Sequence, residues 1–152
     1  MNPTNKKKLK RFIITGGILL ICIAGIYVYY LFTLKHKDTA DLNPAFTVEA
    51  LPFIKEFEKD YKTANKKYAE KIVAVNGMIT ATETADTTIN IKMSDTTTGS
   101  YLIFAFQKQH LNEAKTLKPG DSATIKGSCS DGVYSEILGV YFISFKRCTI
   151  SK

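Results

Sequence analysis

The strongest indication of the fold comes from residues 101–129, which read YLIFAFQKQHLNEAKTLKPGDSATIKGSC. The first six of these residues are apolar on both faces of a strand, which is typical of a strand near the centre of a covered sheet. Residues 108–117 fit a short helix, and Pro119-Gly120-Asp121 marks a turn before a strand at 122–129. This stretch therefore predicts a strand, a short helix and a further strand.

Two more strands are predicted before this stretch and one after it. Residues 72–84 are rich in β-branched residues and contain Asn76-Gly77, which predicts a long strand bent at a glycine bulge. Residues 89–93 alternate between apolar and polar, which predicts a strand with one buried face. Residues 140–150 form the last predicted strand, after an expanded loop that begins at the turn signal Asp131-Gly132 and ends at Gly139.

An amphipathic helix is predicted before the strands. Its apolar residues are spaced 3, 3, 4, 3 and 4 apart: Leu51, Ile54, Phe57, Tyr61, Ala64 and Tyr68. Thr47 is a suitable N-cap, but Pro52 would then lie too deep, so the helix is kinked at its start or delayed to Pro52. Five strands in series with a helix between the third and fourth is the order of the OB-fold, a small Greek-key barrel. We therefore predict a mainly β fold, a five-stranded OB-fold barrel preceded by the amphipathic helix.

The strand region resembles the tRNA_anti-like group of OB-fold proteins, which are small bacterial domains often held outside the cytoplasm. The segments that carry the resemblance are Lys66-Lys67-Tyr68, Ile72–Ile79 with its Asn76-Gly77, Leu117–Asp121, Thr124–Gly127 with Cys129, and Cys148-Thr149-Ile150. These motifs are structural, so the resemblance implies the fold and transfers no catalytic residue. The group is named for its similarity to anticodon-binding domains, but an extracytoplasmic address argues against tRNA as the partner.

Residues 12–34, FIITGGILLICIAGIYVYYLFTL, contain no charged side chain and predict a transmembrane helix. A helix of this length spans about 34 Å, against roughly 30 Å for the hydrocarbon core of a bilayer. Five cations lie within the six residues before this run, whereas Lys35 and Lys37 after it are partly offset by Asp38. The positive-inside tendency therefore predicts a single-pass protein of the bacterial inner membrane, with 1–11 as a cytoplasmic tail and the C-terminal domain in the periplasm.

Two alternatives to a membrane span are less favoured. A cleaved signal peptide has a shorter apolar stretch and a small-x-small cleavage site, which Leu31–Leu34 does not offer. Cys22 follows Leu19-Leu20-Ile21, which loosely imitates a lipoprotein processing site, but Ile21 is bulky where a small residue is expected. We therefore predict that Cys22 is an ordinary cysteine within the span.

The charge is unevenly distributed along the 152 residues, which carry a formal net charge of +7. The composition, 45% hydrophobic and 23% charged, excludes collagen-like, low-complexity and wholly disordered classes. Residues 39–152 carry 14 basic and 13 acidic residues, a net of +1, so the basic excess belongs to the N-terminal quarter. We divide the chain after the span into a linker at 35–46 and an OB-fold domain at 47–152.

Cys129 and Cys148 are the two cysteines of the predicted domain. In an extracytoplasmic compartment this even number predicts a disulfide, which would close 18 intervening residues and contribute about 3 kcal/mol. A tight turn at Asp131-Gly132 would instead place Cys129 opposite Tyr134, so two buried free thiols are the alternative. A redox-active pair is less favoured, since the sequence has no C-x-x-C motif.

The sequence contains no catalytic or metal-binding pattern. His36 and His110 have no second ligand at a suitable spacing, and neither a nucleophile elbow nor a glycine-rich phosphate loop occurs. We therefore expect a protein that is not an enzyme and that has no metal and no cofactor.

The remaining prediction is a non-enzymatic binding module whose partner is a protein, a peptide or a glycan. The candidate ligand face comprises Tyr101, Tyr134, Tyr141, Lys126 and Arg147, beside the loops 94–100 and 132–139.

The alternative is an OB-fold that binds single-stranded nucleic acid by stacking bases on aromatic rings in a positive groove. Besides the tyrosines and cations of the candidate face, the available side chains are Phe104, Phe106, Phe142, Phe145, Lys92 and Lys146. Most of these rings alternate into the core, and a net charge of +1 gives little phosphate-driven affinity. Nucleic acid is therefore the less favoured partner.

Overall fold

The computed structural model describes residues 16–17, 20–30, 38–85 and 88–151. The chain divides into two compact units, Met1–His36 and Lys37–Lys152. In the first unit, residues 20–30 are helical and exposed. Within the described residues, no helix has both the length and the apolar character needed to span a bilayer. The predicted tail at 1–11 and the predicted span at 12–15, 18–19 and 31–34 lie outside the described residues.

The second unit is built on one sheet of seven strands. These are β1 (Phe46–Glu49), β2 (Ile72–Met78), β3 (Ala81–Ala85), β4 (Thr88–Ser94), β5 (Tyr101–Phe106), β6 (Ser122–Ser135) and β7 (Val140–Ile150). Their order is β1-β2-β6-β7-β5-β4-β3. The pairs β1–β2 and β5–β7 are parallel and the other pairs are antiparallel. Among the described residues the end strands β1 and β3 do not pair with each other, so the sheet is not closed.

The prediction of a mainly β fold was therefore confirmed, but the predicted number of five strands was wrong, since the sheet has seven. The predicted long strand is divided because Ile79 leaves the β2 ladder: its N–H donates to Asp121 O and its carbonyl accepts from Gly120 N, both at 2.8 Å. Thr80 N–H then donates to Lys92 O at 2.8 Å, beside the first pair of β3 with β4. Because β2 and β3 are consecutive in the chain but lie far apart in the strand order, this bend curls the sheet into a partly open barrel.

The additional strand, β1, lies where the N-cap of the helix was expected. Thr47 pairs with Ala74 of β2, and the N-cap residue is Glu49, which has an extended backbone. The helix α1 (Ala50–Tyr68) follows directly, with Pro52 in its first turn, where proline is tolerated.

The predicted helix is present but is interrupted at Asp60, whose φ of −158° and ψ of 87° are not helical. The Asp60 carboxylate accepts hydrogen bonds at 3.1 Å from the backbone N–H groups of Lys62 and Thr63, as an N-cap does for a new helix. Across this kink, Lys67 Nζ reaches Glu56 Oε1 at 2.7 Å, which residues eleven apart in one straight helix cannot do. The helix therefore folds over the sheet in two segments.

The buried face of α1 differs from the predicted stripe at its first member. Phe53, Ile54 and Phe57 are at most 1% exposed, whereas Leu51 is 50% exposed. These side chains pack on Phe104 and Phe145 of the sheet, with the Phe53 and Phe145 ring centroids 6.0 Å apart. The core therefore lies between α1 and one face of the barrel.

The short helical segment between β5 and β6 is present at the predicted place. It consists of a 3-10 turn at Lys108–His110 and the helix α2 (Leu111–Ala114). Ala114 is buried and Leu111 is half-buried against the core. This element is where an OB-fold has its helix.

The predicted turn at Asp131-Gly132 was wrong, because β6 continues to Ser135 and turns only at residues 136–139. Gly132 pairs with Ile143, and a Cβ at this position would lie 2.3 Å from Phe57 Cδ1. Gly77 likewise shows no bulge: it pairs with Ala123, and a Cβ there would lie 2.6 Å from Ala50 Cβ. Both glycines therefore serve the close approach of α1 to the sheet.

The predicted disulfide is not present, since Cys129 and Cys148 are both buried free thiols. Cys129 pairs with Phe145 of β7, and Cys148 pairs with Phe106 of β5, so the two cysteines are not opposite each other. Burial raises the pKa of Cys129 to about 12 and raises the pKa of Cys148 well above its usual range. Both thiols are therefore protonated core side chains.

Candidate functional site

The face of the sheet that points away from α1 carries a group of partly exposed apolar and aromatic side chains. We call it the outer face, and its residues are Lys92, Tyr101, Ile103, Val133 and Phe142. Alternation places them there, because their neighbours in the strands, such as Met93 and Leu102, are at most 1% exposed.

The outer face has a continuous row of side chains across three strands. Val133 of β6 pairs with Phe142 of β7, and Phe142 pairs with Tyr101 of β5. The Tyr101 and Phe142 rings are stacked, with centroids 6.1 Å apart and planes inclined by 20°. Lys92 Nζ of β4 lies 5.1 Å from the Tyr101 ring centroid, which is a cation–π distance.

The charges on this face nearly cancel. Lys92 Nζ forms an ion pair with Glu83 Oε1 of β3 at 2.5 Å. Asp131, which is exposed, pairs with Ser144 beside the apolar row. Next to the rings, Lys92 is thus paired with Glu83 and Asp131 adds a carboxylate, so this part of the outer face offers little attraction to a phosphate backbone.

A second aromatic group lies on the opposite side of the β6–β7 hairpin, toward α1. We call it the tyrosine cluster, and it consists of Tyr61, Tyr134 and Tyr141. The Tyr134 and Tyr141 ring centroids are 4.9 Å apart, and those of Tyr61 and Tyr141 are 6.0 Å apart. The hairpin tip beyond the cluster exposes Ile137 by 96% and Leu138 by 63%.

The structure does not bring the five predicted ligand-face residues together. Tyr101 lies on the outer face, whereas Tyr134 and Tyr141 belong to the tyrosine cluster. Lys126 is 8% exposed, and its Nζ donates to the carbonyl oxygens of Ala40 and Leu42, both at 2.8 Å. Arg147 occupies a bulge of β7 with a φ of 54°.

Of the two predicted loops, 94–100 and 132–139, the first is a tight turn and the second is partly strand. Residues 95–100 form a tight turn in which Asp95 is 4% exposed and accepts a hydrogen bond from Thr97 N at 2.8 Å. Hydrogen bonds from the Thr97 side chain and backbone keep the pKa of Asp95 below its usual range. The first half of the predicted loop at 132–139 is strand, and residues 136–139 form the exposed hairpin tip.

The sequence analysis missed Ile103, Val133 and Glu83 as neighbours of Tyr101. Alternation within 101–106 could have identified Ile103, and alternation continued through Gly132 could have identified Val133. The position of Glu83 near Lys92 follows from the pairing of β3 with β4, in which Ala81 lies opposite Lys92. That pairing depends on the strand break at Ile79, which the sequence analysis did not predict.

The N-terminal segment of the domain is fastened beside α2. Asp38 Oδ1 lies 2.9 Å from His110 Nε2 and also accepts from Ala40 N at 2.9 Å. The backbone hydrogen bond from Ala40, followed by the contact with His110, keeps the pKa of Asp38 below its usual range. Thr39 is 1% exposed, so residues 38–42 pack on the domain surface.

A partly open barrel of this strand order, with a helical segment between β5 and β6, defines an OB-fold protein. The model of the tRNA_anti-like family matches residues 4–138, and the chain therefore belongs to the tRNA_anti-like family.

Solved structures with a similar fold include a lipoprotein from Klebsiella pneumoniae that is provisionally described as nucleic acid-binding. It is 20% identical with a TM-score of 0.55, over 69% of this chain and 91% of that one. An OBody bound to hen egg-white lysozyme is 17% identical with a TM-score of 0.43, over 55% of this chain and 84% of that one. No curated protein matches the sequence significantly.

Proposed function

We propose that this chain is a non-enzymatic binding module that takes its ligand on the outer face. The observation that carries this proposal is the stacked pair Tyr101 and Phe142, extended by Val133 and flanked by Lys92. When β2 and β3 are counted as one bent strand, β4 and β5 are the second and third strands of the OB-fold. That face of the OB-fold binds oligonucleotides and oligosaccharides in proteins of this architecture.

The electrostatics favour a ligand with little charge. Glu83 neutralises Lys92, and Asp131 adds a negative charge beside the row. The rings and Val133 offer a flat apolar strip, which fits a sugar ring or the side chains of a peptide or protein. The proposed partner is therefore a protein, a peptide or a glycan.

The proposed location is the bacterial inner membrane, with residues 12–34 as a single span and the domain on the periplasmic side. The support is the uncharged run of 23 residues and the cations that precede it. The family match also begins at residue 4 and so includes this run.

Photocrosslinking from the outer face tests the proposed ligand site. A photoreactive amino acid is placed at Ile103 in the full chain and, as a matched control, at the exposed residue Thr116. Irradiation of intact cells should give a discrete adduct from position 103 and not from position 116. Equal adducts from both positions, or none from 103, would contradict the proposal.

Single-stranded nucleic acid is the second candidate. The contact of Lys92 with the Tyr101 ring and the description of the K. pneumoniae lipoprotein favour it. The test is fluorescence anisotropy of a labelled oligonucleotide with the full chain at increasing salt. Tight binding that weakens steeply with salt and with Lys92→Gln would favour nucleic acid, whereas no binding at physiological salt supports the leading proposal.

A further inference from the structure

Residues 38–42, which we call the strap, cover a row of side chains on the side of the sheet that points away from the core. The strand register places Ala74 of β2 opposite Lys126 of β6, and Lys126 opposite Thr149 of β7. All three residues are buried, and the strap contacts both β6 and β7. Thr39 of the strap is buried as well. The strap therefore closes this part of the sheet surface.

The group at the centre of the covered row is a positive charge without a counter-ion. Lys126 Nζ donates to the carbonyl oxygens of Ala40 and Leu42, both in the strap. Within the described ranges, no carboxylate oxygen lies within ion-pair distance of Lys126. A buried ammonium group is costly unless a negative charge compensates it. The two neutral carbonyl groups therefore leave this site short of an anion.

Two further cations lie beside Lys126. Lys146 of β7 pairs with Ser128, which is two residues from Lys126 in β6, and Arg147 follows Lys146 in the bulge of β7. Neither cation forms an ion pair with a carboxylate of the part of the chain that the structure describes. Asp131, beyond the bulge of β6, is the only acidic residue of these two strands. The surface under and beside the strap is therefore basic.

The strap itself is acidic, and few hydrogen bonds hold it. It carries Asp38 and Asp41 and no basic residue. Apart from the two bonds to Lys126, the described hydrogen bonds from the strap to the rest of the domain join Asp38 to Gln109 and His110. A segment held by so few bonds opens at a lower cost than the sheet beneath it. An anion that binds at Lys126 would compete with this segment for the same surface.

We propose that the strap closes a phosphate-binding site, in which Lys126 and Lys146 bind an oligophosphate chain after the strap has moved away. Lysine binds phosphate as a point charge, and the hydroxyl group of Thr149, in the same row, is a donor to a phosphate oxygen. Because the strap and the ligand exclude each other, the ligand releases the strap and the strap weakens the binding of the ligand by the same factor. The site is independent of the ligand proposed for the outer face.

The probe is tripolyphosphate, which has the charge of the proposed ligand and no base to stack on Tyr101. Its affinity for the full chain is measured by calorimetry at neutral pH and low salt. Asp38→Ala loosens the strap and should bind the probe about tenfold more tightly than wild type. Glu136→Ala, which removes one carboxylate at the hairpin tip, is the matched control and should change the affinity by less than about twofold. Adding Lys126→Met to Asp38→Ala should abolish the gain.

Hydrogen exchange separates competition with the strap from binding on top of it. Saturating tripolyphosphate should make exchange at 38–42 faster, whereas a ligand bound over the closed strap would make it slower. Slower or unchanged exchange, equal affinities of Asp38→Ala and Glu136→Ala, or undiminished binding in Lys126→Met would overturn the proposal.

Two comparisons identify the source of the phosphate and the surface that binds it. Tighter binding of an oligothymidylate with the same number of phosphates would assign the site to a nucleic-acid backbone, and tighter binding of tripolyphosphate to a free oligophosphate. Lys92→Gln, on the outer face, should leave the affinity for tripolyphosphate unchanged. A loss of that affinity in Lys92→Gln would place the phosphate on the outer face and overturn the proposal.

Discussion

The side-chain amide of Asn65 forms two hydrogen bonds with the backbone of Gly132: Asn65 Nδ2 donates to Gly132 O, and Gly132 N donates to Asn65 Oδ1, both at 2.8 Å. This is the pairing that a neighbouring strand would supply at that position. It connects the second segment of α1 to β6 next to the tyrosine cluster. The hairpin that carries Val133 and Phe142 is thus held from the side opposite the outer face.

We expect Asn65→Ala to destabilise the chain by about 1–2 kcal/mol, because it removes two hydrogen bonds and leaves partly buried backbone groups without partners. The measurement is the free energy of unfolding in urea. Lys66→Ala, at the exposed neighbouring position, is the control and should change it by less than about 0.5 kcal/mol. Equal effects of the two substitutions would show that the Asn65 contact contributes nothing.

Lys126→Met is expected to release residues 38–42 from the domain. The substitution keeps the length of the side chain but leaves the carbonyl oxygens of Ala40 and Leu42 without their shared donor, at a cost of about 2 kcal/mol. Hydrogen exchange measured by mass spectrometry should then be faster at 38–42. Lys146→Met, which alters an exposed lysine of β7, should leave exchange in this segment unchanged, and an unchanged rate in Lys126→Met would refute the expectation.

The contribution of Asp38 to stability should depend on pH. Its folded-state pKa lies below the ordinary value of 3.8, through the hydrogen bond from Ala40 and the contact with His110. A lowered carboxylate pKa stabilises the folded state above the unfolded pKa, and this stabilisation is lost as the pH falls through the folded pKa.

Asp38→Ala should therefore destabilise the chain by about 1 kcal/mol at neutral pH. The difference between wild type and variant should shrink as the pH falls below 3.8. Urea titrations over this range measure it, with Asp41→Ala as a control at an exposed aspartate of the same segment. A difference that stays constant down to low pH would contradict this role of the carboxylate.

Cys129 and Cys148 should resist a water-soluble thiol reagent in the native chain at pH about 8, because both thiols are buried and protonated. After unfolding in guanidinium without a reductant, both should be alkylated, as measured by peptide mass spectrometry. Alkylation that requires prior reduction would reveal a disulfide and contradict the structure.

The continuous apolar run at 101–106 predicted β5, and the last predicted strand at 140–150 is β7, each with the bounds found. The features that the sequence could not predict depend on contacts between distant residues. Asp131-Gly132 has the composition of a turn, but the ring of Phe57 requires a glycine within a strand there. The strand break at Ile79 depends on hydrogen bonds to Gly120 and Asp121.

The candidate site, too, could be predicted from the sequence only where it does not depend on contacts between distant residues. The sequence analysis named Tyr101 as a ligand-face residue, and the structure leaves it partly exposed, because its neighbour Leu102 points into the core. It also named Lys126 as a cation of that face, but Lys126 is buried and its acceptors lie 84 and 86 residues earlier in the chain. The register between strands determines which partly exposed side chains form one surface. Residue type alone does not reveal that register.

The most direct test of the proposed function measures the yield of the photoadduct formed from position 103 in two tyrosine variants. Tyr101→Ala removes the stacked ring of the outer face, and Tyr134→Ala removes a ring of the tyrosine cluster on the other side of the hairpin. With both variants folded, as judged by urea unfolding, Tyr101→Ala should lower the yield about tenfold and Tyr134→Ala by less than about twofold. An unchanged yield in Tyr101→Ala would contradict the assignment of the ligand to the outer face.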